Sequence, residues 1–475
     1  MEKQIGITVK KEENFSEWYT QAILKSDLAD YSPVRGCMVI KPNAYAIWEQ
    51  IQQYFNERLK KLDVKNAYFP LFIPESLFKK EAQHAKGFNP EVAWISNTED
   101  GERLAIRPTS ETIMYDSFSK WIRSHRDLPL RINQWSNVVR WETKATRLFL
   151  RTREFLWQEG HCVYETREEC EKETLLYLDE YKKICEELLA IPVLDGKKTD
   201  QEKFAGAIYT TSIDALMPDG KSLQMGTSHN LGQGFAHSFN ISFLGRDEKK
   251  YFPYQNSWGI STRLIGAMVM MHGDNKGIVI PPKIAAEKIV IVPIQFEKTN
   301  KEVIKKAKEL KELLKIYRPI LDDRSYSPGW KYNEWELKGI PIRIEIGPKE
   351  LEKKQVILVR RDTHEKKAVK YASLKKEIEK FLEDIQQNLF AKAKKFLEEN
   401  TIEAKNISEL KKAIHNKKAA KASWCSSQKC EDSLKDETGG AKIINITLNQ
   451  PKNIKNNCVY CNQKAKYTVL VAKSY

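Results

Sequence analysis

The chain has 475 residues, 41% hydrophobic and 30% charged, with a formal charge of +15 at pH 7. That balance excludes a disordered protein, and no run reaches the roughly 18 consecutive apolar residues that a membrane helix needs. The length predicts about three domains. The positive charge points either to a polyanionic partner, nucleic acid above all, or to a lysine-rich solvated face.

In chain order, the opening MEKQIGITVKKEENFSEWY mixes both charge signs and lacks an apolar targeting core, so the expected compartment is cytoplasmic. Asn43 to Lys61 carries Ile47, Ile51, Phe55 and Leu59 at helical spacing behind a Pro42-Asn43 cap. AYFPLFIP then reads as a short apolar strand with Pro70 at an edge. RLAIRP, NVVRWET, FLWQEGHCVY and AHSFNISF read as further strands, followed by the apolar run WGISTRLIGAMVMMHGD. Few full crossover helices separate them, so most are expected to pair antiparallel.

From about residue 286 the pattern changes. IVIVPI, KEVIKKAKELKELLKI, RPILDD, YNEWELKG, IPIRIEIG and QVILVRRD alternate strand with helix, the mark of a small α/β domain with a mixed sheet. Ser373 is the expected N-cap of a long amphipathic helix with Ile378, Phe381, Leu382, Ile385 and Leu389 on one face. A lysine-rich helical stretch and a cysteine cluster follow, and tail segments such as HNKKAAKAS concentrate the positive charge. The fold class is therefore α/β with an α+β core, in units 1–285, 286–385 and 386–475.

Two chemical patterns stand out. Asn137 to His161, NVVRWETKATRLFLRTREFLWQEGH, interleaves arginines and glutamates with apolar residues, although buried charge is costly unless paired or bound to a ligand. On a strand, Arg140 and Glu142 share a face, where Arg140 suits a phosphate or carboxylate and Glu142 an exocyclic amine or a metal-bound water. Arg151 is expected on an antiparallel return strand, and Phe155 offers a flat face for a base. The alternative is an exposed hairpin whose charges pair across strands. Arg263, before an apolar helix, suits an anion together with the helix N-terminus. The second pattern is Cys425-x4-Cys430 with Cys458-x2-Cys461, which has metal-ligand form and suits a structural zinc; a pair of disulfides is the alternative. Cys37, Cys162, Cys170 and Cys185 show no pairing pattern and are read as reduced core residues.

Taken together these segments resemble the class II aminoacyl-tRNA synthetases. The helix and strand ending at Pro70 look like motif 1, Arg140-Trp141-Glu142 with its return strand like motif 2, and Gly259 to Arg263 with the following helix like motif 3. RPTSET, LQMGTSHNLGQGFA, GWKYNEWELKGIPIRIEIGPKE and VRRD narrow the resemblance to prolyl-tRNA synthetases. Within these it is most similar to the archaeal and eukaryotic-type branch with a carboxy-terminal zinc-binding domain.

The resemblance implies an antiparallel-sheet catalytic domain, an α/β anticodon-binding domain and a small zinc domain. It further implies ATP-dependent attachment of L-proline to tRNA(Pro) in two steps through a prolyl-adenylate, in a homodimer. About a hundred residues separate motifs 2 and 3, too few for an inserted editing domain, so no cis editing is expected. Carried over residue by residue, Thr109, Glu111, His229, Trp157 and Phe204 form the proline pocket, and Arg140 aligns the proline carboxylate with the α-phosphate. Glu142, Arg151, Phe155, Gln224, Thr227, Ser261 and Arg263 hold ATP, with Gln224 near its magnesium. Read from the residues alone, Thr109 or Ser110 could instead cap a helix, His229 could be a structural histidine, and Trp157 and Phe204 core residues. Glu345, Arg343, Arg360 and Arg361 are the anticodon readers, or alternatively a surface ion-pair cluster. The resemblance also implies that the terminal carboxylate of Tyr475 reaches toward the active site. Competing readings are a threonyl or histidyl synthetase, a catalytically dead tRNA-binding relative, and a tRNA-independent adenylate-forming ligase.

Overall fold

The computed structural model describes residues 6–82, 92–95, 101–141, 145–294, 300–454 and 456–475. Helix α1 (Phe15–Lys25) starts at Asn14, whose side chain accepts from the amide of Glu17. In α2 (Pro42–Lys61) the cap is Lys41 rather than the expected Pro42-Asn43 pair, with Pro42 in the first turn, where its missing N–H costs nothing. Ile47, Ile51, Phe55 and Leu59 are buried along one stripe of it, as their spacing predicts.

The expected strand over AYFPLFIP is broken: β1 (Lys65–Asn66) ends just before it, and only Phe72–Pro74 within it is strand. Pro70 cannot donate to a ladder, and side chains satisfy the backbone there instead. Gln134 accepts from the amide of Phe69 at 2.5 Å, and Arg107 donates to the Phe69 carbonyl at 2.7 Å. Helix α3 (Glu111–Trp121) follows.

The main sheet is then laid down by β2 (Leu130–Val139), β3 (Glu154–Tyr164), α4 (Arg167–Lys183), β4 (Leu194–Lys197), β5 (Tyr209–Leu216), β6 (Lys221–Gly232), β7 (Tyr254–Ser261) and α5 (Arg263–His272). Adjacent strands β2-β3-β7-β6-β5-β4 all pair antiparallel. Helix α4 covers one face, stacking Tyr177 on Trp258 at 4.0 Å. Trp258 leaves no room opposite it: a Cβ at Gly160 would lie 2.0 Å from its ring.

Three expectations fail here. The NVVRWET strand ends at Val139, so Arg140 and Trp141 lie beyond it, although the Arg140 amide still donates to Arg153 at 2.8 Å. Glu142 lies outside the described residues. Arg151 precedes β3 and closes a tight turn on Arg147. AHSFNISF is mostly not a strand: Gly232, at φ +57°, ends β6, and Gly234–Ser238 is helical. Phe235, Ala236 and Phe239 bury at helical spacing against Tyr115, and this packing overrides the strand propensity.

The second unit consists of β8 (Ile289–Pro293), α6 (Asn300–Leu313), β9 (Ile320–Leu321), α7 (Pro328–Leu337), β10 (Ile342–Ile346), β11 (Gln355–Arg360) and β12 (Lys366–Lys370). Its mixed sheet has the order β9-β8-β10-β11-β12, with the first three strands parallel.

Helix α8 (Leu374–Glu399) runs unbroken past residue 385 into the third unit, with Ser373 at its N-cap position but no side-chain cap bond. The last elements are β13 (Thr401–Ala404), α9 (Ile407–His415), β14 (Ala419–Trp424), α10 (Gln428–Glu437), β15 (Lys442–Thr447) and β16 (Tyr467–Ser474). These strands extend the main sheet: β15 pairs with β4, and β16 pairs parallel with β6, giving eleven strands among the described residues. Among the described residues no helix is long and apolar enough to cross a membrane.

Candidate active site

The central strands surround a cavity of about 280 Å³. Thr109, Glu111, Arg140, Phe155, Trp157, Phe204, Gln224, Thr227, His229, Ser261 and Arg263 all line it, so residues scattered over more than 150 positions of sequence meet in one place. Arg151 lies in an adjoining cavity of about 430 Å³, which shares Arg140, Phe155, Ser261 and Arg263 as walls. Tyr475 lines that cavity too, and its amide donates to the Ser222 carbonyl at 3.2 Å.

One end of the cavity is acidic. Ser110 sits at the N-cap position of α3, yet its hydroxyl caps nothing and donates to Glu159 at 2.5 Å. Glu159 also accepts from Gln134 at 3.0 Å and meets His161 at 3.0 Å. Burial would raise the Glu159 pKa, but these bonds, His161 first, hold it below the usual carboxylate value. Burial likewise opposes protonation of His161, and the bond to Glu159 with the charges of Glu111 and Glu159 outweighs it and raises its pKa. Both partners therefore shift toward an ion pair. The carboxylates of Glu111 and Glu159 and the His161 ring each place an atom within 4.8 Å of the others. With Glu159 offset by His161, Glu111 supplies the net negative charge, and its side chain accepts from the Thr109 hydroxyl. This arrangement suits a cation that brings its own N–H donors.

The other end is basic and aromatic. The Arg140 guanidinium lies 5.5 Å from the Phe155 ring and 5.6 Å from that of Trp157, with Nε donating to the Pro108 carbonyl at 3.2 Å. Arg263, the first residue of α5, donates to Leu150 at 3.1 Å and to the Gln224 carbonyl at 3.3 Å, which fixes its side chain across β6. His229 is neutral: burial, with neighbouring His161, lowers its pKa to about 3. Thr210 shares a 2.9 Å hydrogen bond with its Nδ1, and the Phe204 ring lies 4.8 Å from it.

Glu159, His161 and Thr210 were not anticipated. A signal existed for the first two: alternation along FLWQEGHCVY from Phe155 and Trp157 puts Glu159 and His161 on the same sheet face. Nothing in the sequence marks Thr210, which is brought in by the pairing of β5 with β6.

The remaining expected residues lie elsewhere. Arg343 donates to Glu345 at 3.0 Å and to Glu336 at 3.1 Å, and Lys366 meets Glu345 at 3.3 Å. Arg360 pairs with Asp362, while Arg361 donates to Asp274 at 2.7 Å through two nitrogens, joining the second unit to the end of α5. All four expected readers are buried and ion-paired, rather than forming a surface cluster.

In the third unit the sulfurs of Cys425, Cys430, Cys458 and Cys461 all lie within 4.8 Å of one another, with Cys425 3.5 Å from Cys430 and 3.7 Å from Cys461. A disulfide needs about 2.05 Å, whereas four thiolates at about 2.3 Å from a tetrahedral zinc stand about 3.8 Å apart. The donor set therefore fits zinc, and with four protein ligands leaves no open position. Cys162, Cys170 and Cys185 are buried free thiols; burial pushes Cys162 up to about 11 and Cys170 to about 12, away from reactive thiolates.

Comparison with known proteins agrees with this layout. Residues 94–272 match the family model for the tRNA synthetase class II core domain (G, H, P, S and T), 288–381 that for an anticodon binding domain, and 407–475 that for the prolyl-tRNA synthetase C-terminal domain. The chain is 53% identical over 470 residues to a proline–tRNA ligase of Alkaliphilus oremlandii, covering 98% of this chain and 97% of that one. It is 54% identical over 432 residues to another from Natranaerobius thermophilus, covering 90% and 89%. A solved prolyl-tRNA synthetase from Cryptosporidium parvum, complexed with halofuginone and AMPPNP, superposes with a TM-score of 0.95 at 44% identity, covering 99% of this chain and all of that one. The chain belongs to the prolyl-tRNA synthetase family of class II aminoacyl-tRNA synthetases and is a proline–tRNA ligase.

Proposed function

We propose that the enzyme joins L-proline to tRNA(Pro) in two steps within the cavity between Glu111 and Arg263. One observation carries this reading: two acidic side chains, Glu111 and Glu159, and two arginines, Arg140 and Arg263, line one cavity with aromatic walls, which matches the charges of an aminoacyl-adenylate. In the first step a proline carboxylate oxygen attacks the α-phosphorus of ATP, and the bond to the β-phosphate oxygen breaks to release pyrophosphate. In the second, a ribose hydroxyl of the tRNA terminal adenosine attacks the acyl carbon and gives up its proton, and AMP leaves. Positioning and charge neutralisation do most of the work in such chemistry.

Glu111 and Thr109 would receive the secondary ammonium, with neutral His229, Trp157 and Phe204 closing the ring pocket. Arg140 would bridge the proline carboxylate and the α-phosphate. Phe155 and Arg263 would sandwich adenine, Arg151 would meet the outer phosphates, and Thr227, Ser261 and Gln224 would lie along the nucleotide. ATP enters with magnesium as part of the substrate, with Gln224 beside it; the cation offsets phosphate charge. Glu142 is kept as the reader of the adenine amine.

Glu345, supported by Arg343, Arg360 and Arg361, is the proposed anticodon reader. The cysteine cluster is the proposed structural zinc centre, in a working division at 1–285, 286–385 and 386–475. Between motifs 2 and 3 the chain is taken up by α4, β4, β5, β6 and short connections, which supports an enzyme without cis editing. A cytoplasmic homodimer is the proposed form. Exposed Tyr31, Val39, Tyr45, Tyr68 and Phe72, on the segments around α2, support a covered face there.

The test is amino-acid-dependent ATP–pyrophosphate exchange with the purified chain. Exchange is expected with proline far above every other amino acid. Preference for another amino acid would remove the pocket assignment, and no exchange from folded protein supplied with tRNA would remove the catalytic one.

A further inference from the structure

The pairing of β5 with β6 sets Thr210 directly opposite His229, and both side chains line the cavity. Thr210 is 2% exposed, and its hydroxyl has two neighbours. The backbone amide of Phe204 donates to it at 2.9 Å, and His229 Nδ1 lies 2.9 Å from it. The hydrogen of this second bond belongs either to the hydroxyl or to the ring, and the surroundings decide which.

A hydroxyl has one hydrogen to donate and two lone pairs with which to accept. The Phe204 amide is a donor only, so it takes a lone pair of the Thr210 oxygen. Among the described residues Nδ1 is the one acceptor within reach of the hydroxyl hydrogen, and leaving that hydrogen unmatched in a buried place is costly. The ring holds a single proton, because burial first, and then the charge of neighbouring His161, lowers the His229 pKa to about 3. The Thr210 hydroxyl therefore donates to Nδ1, and the ring proton sits on Nε2.

Phe204 secures the arrangement twice, with its ring 4.8 Å from that of His229 and its amide on the Thr210 oxygen. Among the described residues the protein bonds the ring only through Nδ1, which leaves the Nε2–H for a substrate atom. Bound proline narrows the choice. Its ammonium brings donors and its ring carbons bring neither donor nor acceptor, so its acceptors are the carboxylate oxygens and, after activation, the acyl oxygen.

We infer that Thr210 is a positioning residue: it holds His229 as the Nε2–H tautomer, a hydrogen-bond donor to the carboxylate of proline and to the acyl oxygen of its adenylate. His229 then turns no lone pair toward the substrate and serves as base in neither step. A donor fixed before the substrate arrives needs no reorganisation when charge builds on the acyl oxygen. The inference rests on the ligase reading above.

The experiment is nitrogen-15 NMR of the full chain with labelled histidine rings, the His229 signals being assigned by their loss in His229→Gln. The wild type should show a protonated Nε2 and an unprotonated Nδ1 through neutral pH, and added proline should move the Nε2 signal. Thr210→Val, which keeps the shape and removes the hydroxyl, should move the Nδ1 signal and weaken the response of Nε2 to proline. In pyrophosphate exchange it should lower kcat/KM for proline by about ten- to a hundredfold, as expected for a misplaced hydrogen bond to a charged group. The KM for ATP should stay within about threefold, and Thr210→Ser, which keeps the hydroxyl, should restore both the signals and the rate. A wild-type ring with its proton on Nδ1 overturns the inference even if Thr210→Val does not fold, and so does an Nε2 signal indifferent to proline. A Thr210→Val enzyme that keeps its kcat/KM also overturns it. So does one that loses activity while Nε2 still responds to proline as in the wild type, since the hydroxyl would then serve only the Phe204 wall. If the wild type shows no proline-dependent exchange, the ligase reading falls, and the spectrum of the free protein still decides the tautomer.

Discussion

Replacing Glu111 by glutamine keeps the shape of the side chain and removes one charge. Glu111 is 4% exposed, takes the Thr109 hydroxyl, and leaves the His161 hydrogen bond to Glu159. An ammonium bound there would lose its counter-charge in a dry pocket, which costs about 3–5 kcal/mol. At about 1.4 kcal/mol per factor of ten, kcat/KM for proline in pyrophosphate exchange should fall by two to more than three orders of magnitude. The KM for ATP should stay within about threefold, since the proposed nucleotide contacts do not include Glu111. Glu159→Gln should cost proline less, because Ser110, Gln134 and His161 already occupy that carboxylate. The assay is exchange at saturating ATP over a proline titration, with circular dichroism as the check on folding. A loss below about tenfold for Glu111→Gln, against the ion-pair cost above, or a larger loss for Glu159→Gln, would refute the division of roles between the two acids.

Two further outcomes test other parts of the reasoning. Arg140→Ala should abolish adenylate formation while leaving the far-ultraviolet spectrum intact; an active, folded variant would contradict its role. His272, whose ring donates to the Leu189 carbonyl at 2.8 Å, is partly buried, and desolvation lowers its pKa to about 4. The unfolded chain therefore binds more protons between pH 4 and about 6.5, so stability is present above that window and is lost as pH falls through it. His272→Asn should recover about 2 kcal/mol of the loss between pH 7 and pH 5, read from urea unfolding at both pH values, and an unchanged difference would contradict the assignment.

The periodic elements were legible because local pattern and tertiary packing agree in them. The apolar stripe of α2, the alternation of β3 and the strand–helix succession from β8 to β11 each bury the face that the spacing predicts. The sequence misleads where a side chain does the work of a backbone ladder. Gln134 and Arg107 satisfy the segment around Pro70, and no period announces bonds between positions so far apart. The same holds at 234–238, where a glycine with positive φ and an aromatic cluster turn a strand-like composition into helix. Expected residues carried by a motif meet at one cavity, whereas Thr210 enters it only through strand register. The basic residues of the second unit were placed correctly on one sheet region, but their buried carboxylate partners, Asp274 above all, lie outside any local window.

The cysteine cluster ties the third unit to the candidate active site through strand geometry. Trp424 and Tyr467 pair at the ends of β14 and β16, beside Cys425, and the Val459 amide donates to the Ser423 carbonyl at 2.8 Å, so the cluster clamps that end of the sheet. At its far end β16 pairs Lys473 with Lys221 and Ser474 with Ser222 on β6, two residues before Gln224. The Tyr475 hydroxyl donates to Asp219 at 2.7 Å and lies 3.2 Å from the Met270 sulfur on α5, the helix that begins with Arg263. Loss of metal should therefore loosen the nucleotide end of the cavity more than the proline end, where Glu111 and His229 are held by α3 and by the pairing of β5 with β6. Metal analysis of protein purified without added zinc should find about one zinc per chain, given four thiolate ligands. Cys458→Ser should lower the melting temperature and raise the KM for ATP several-fold, with a smaller change in the KM for proline. No bound metal would overturn the cysteine assignment. An equal rise in both KM values would show that the third unit supports the fold as a whole and not the nucleotide wall through β16.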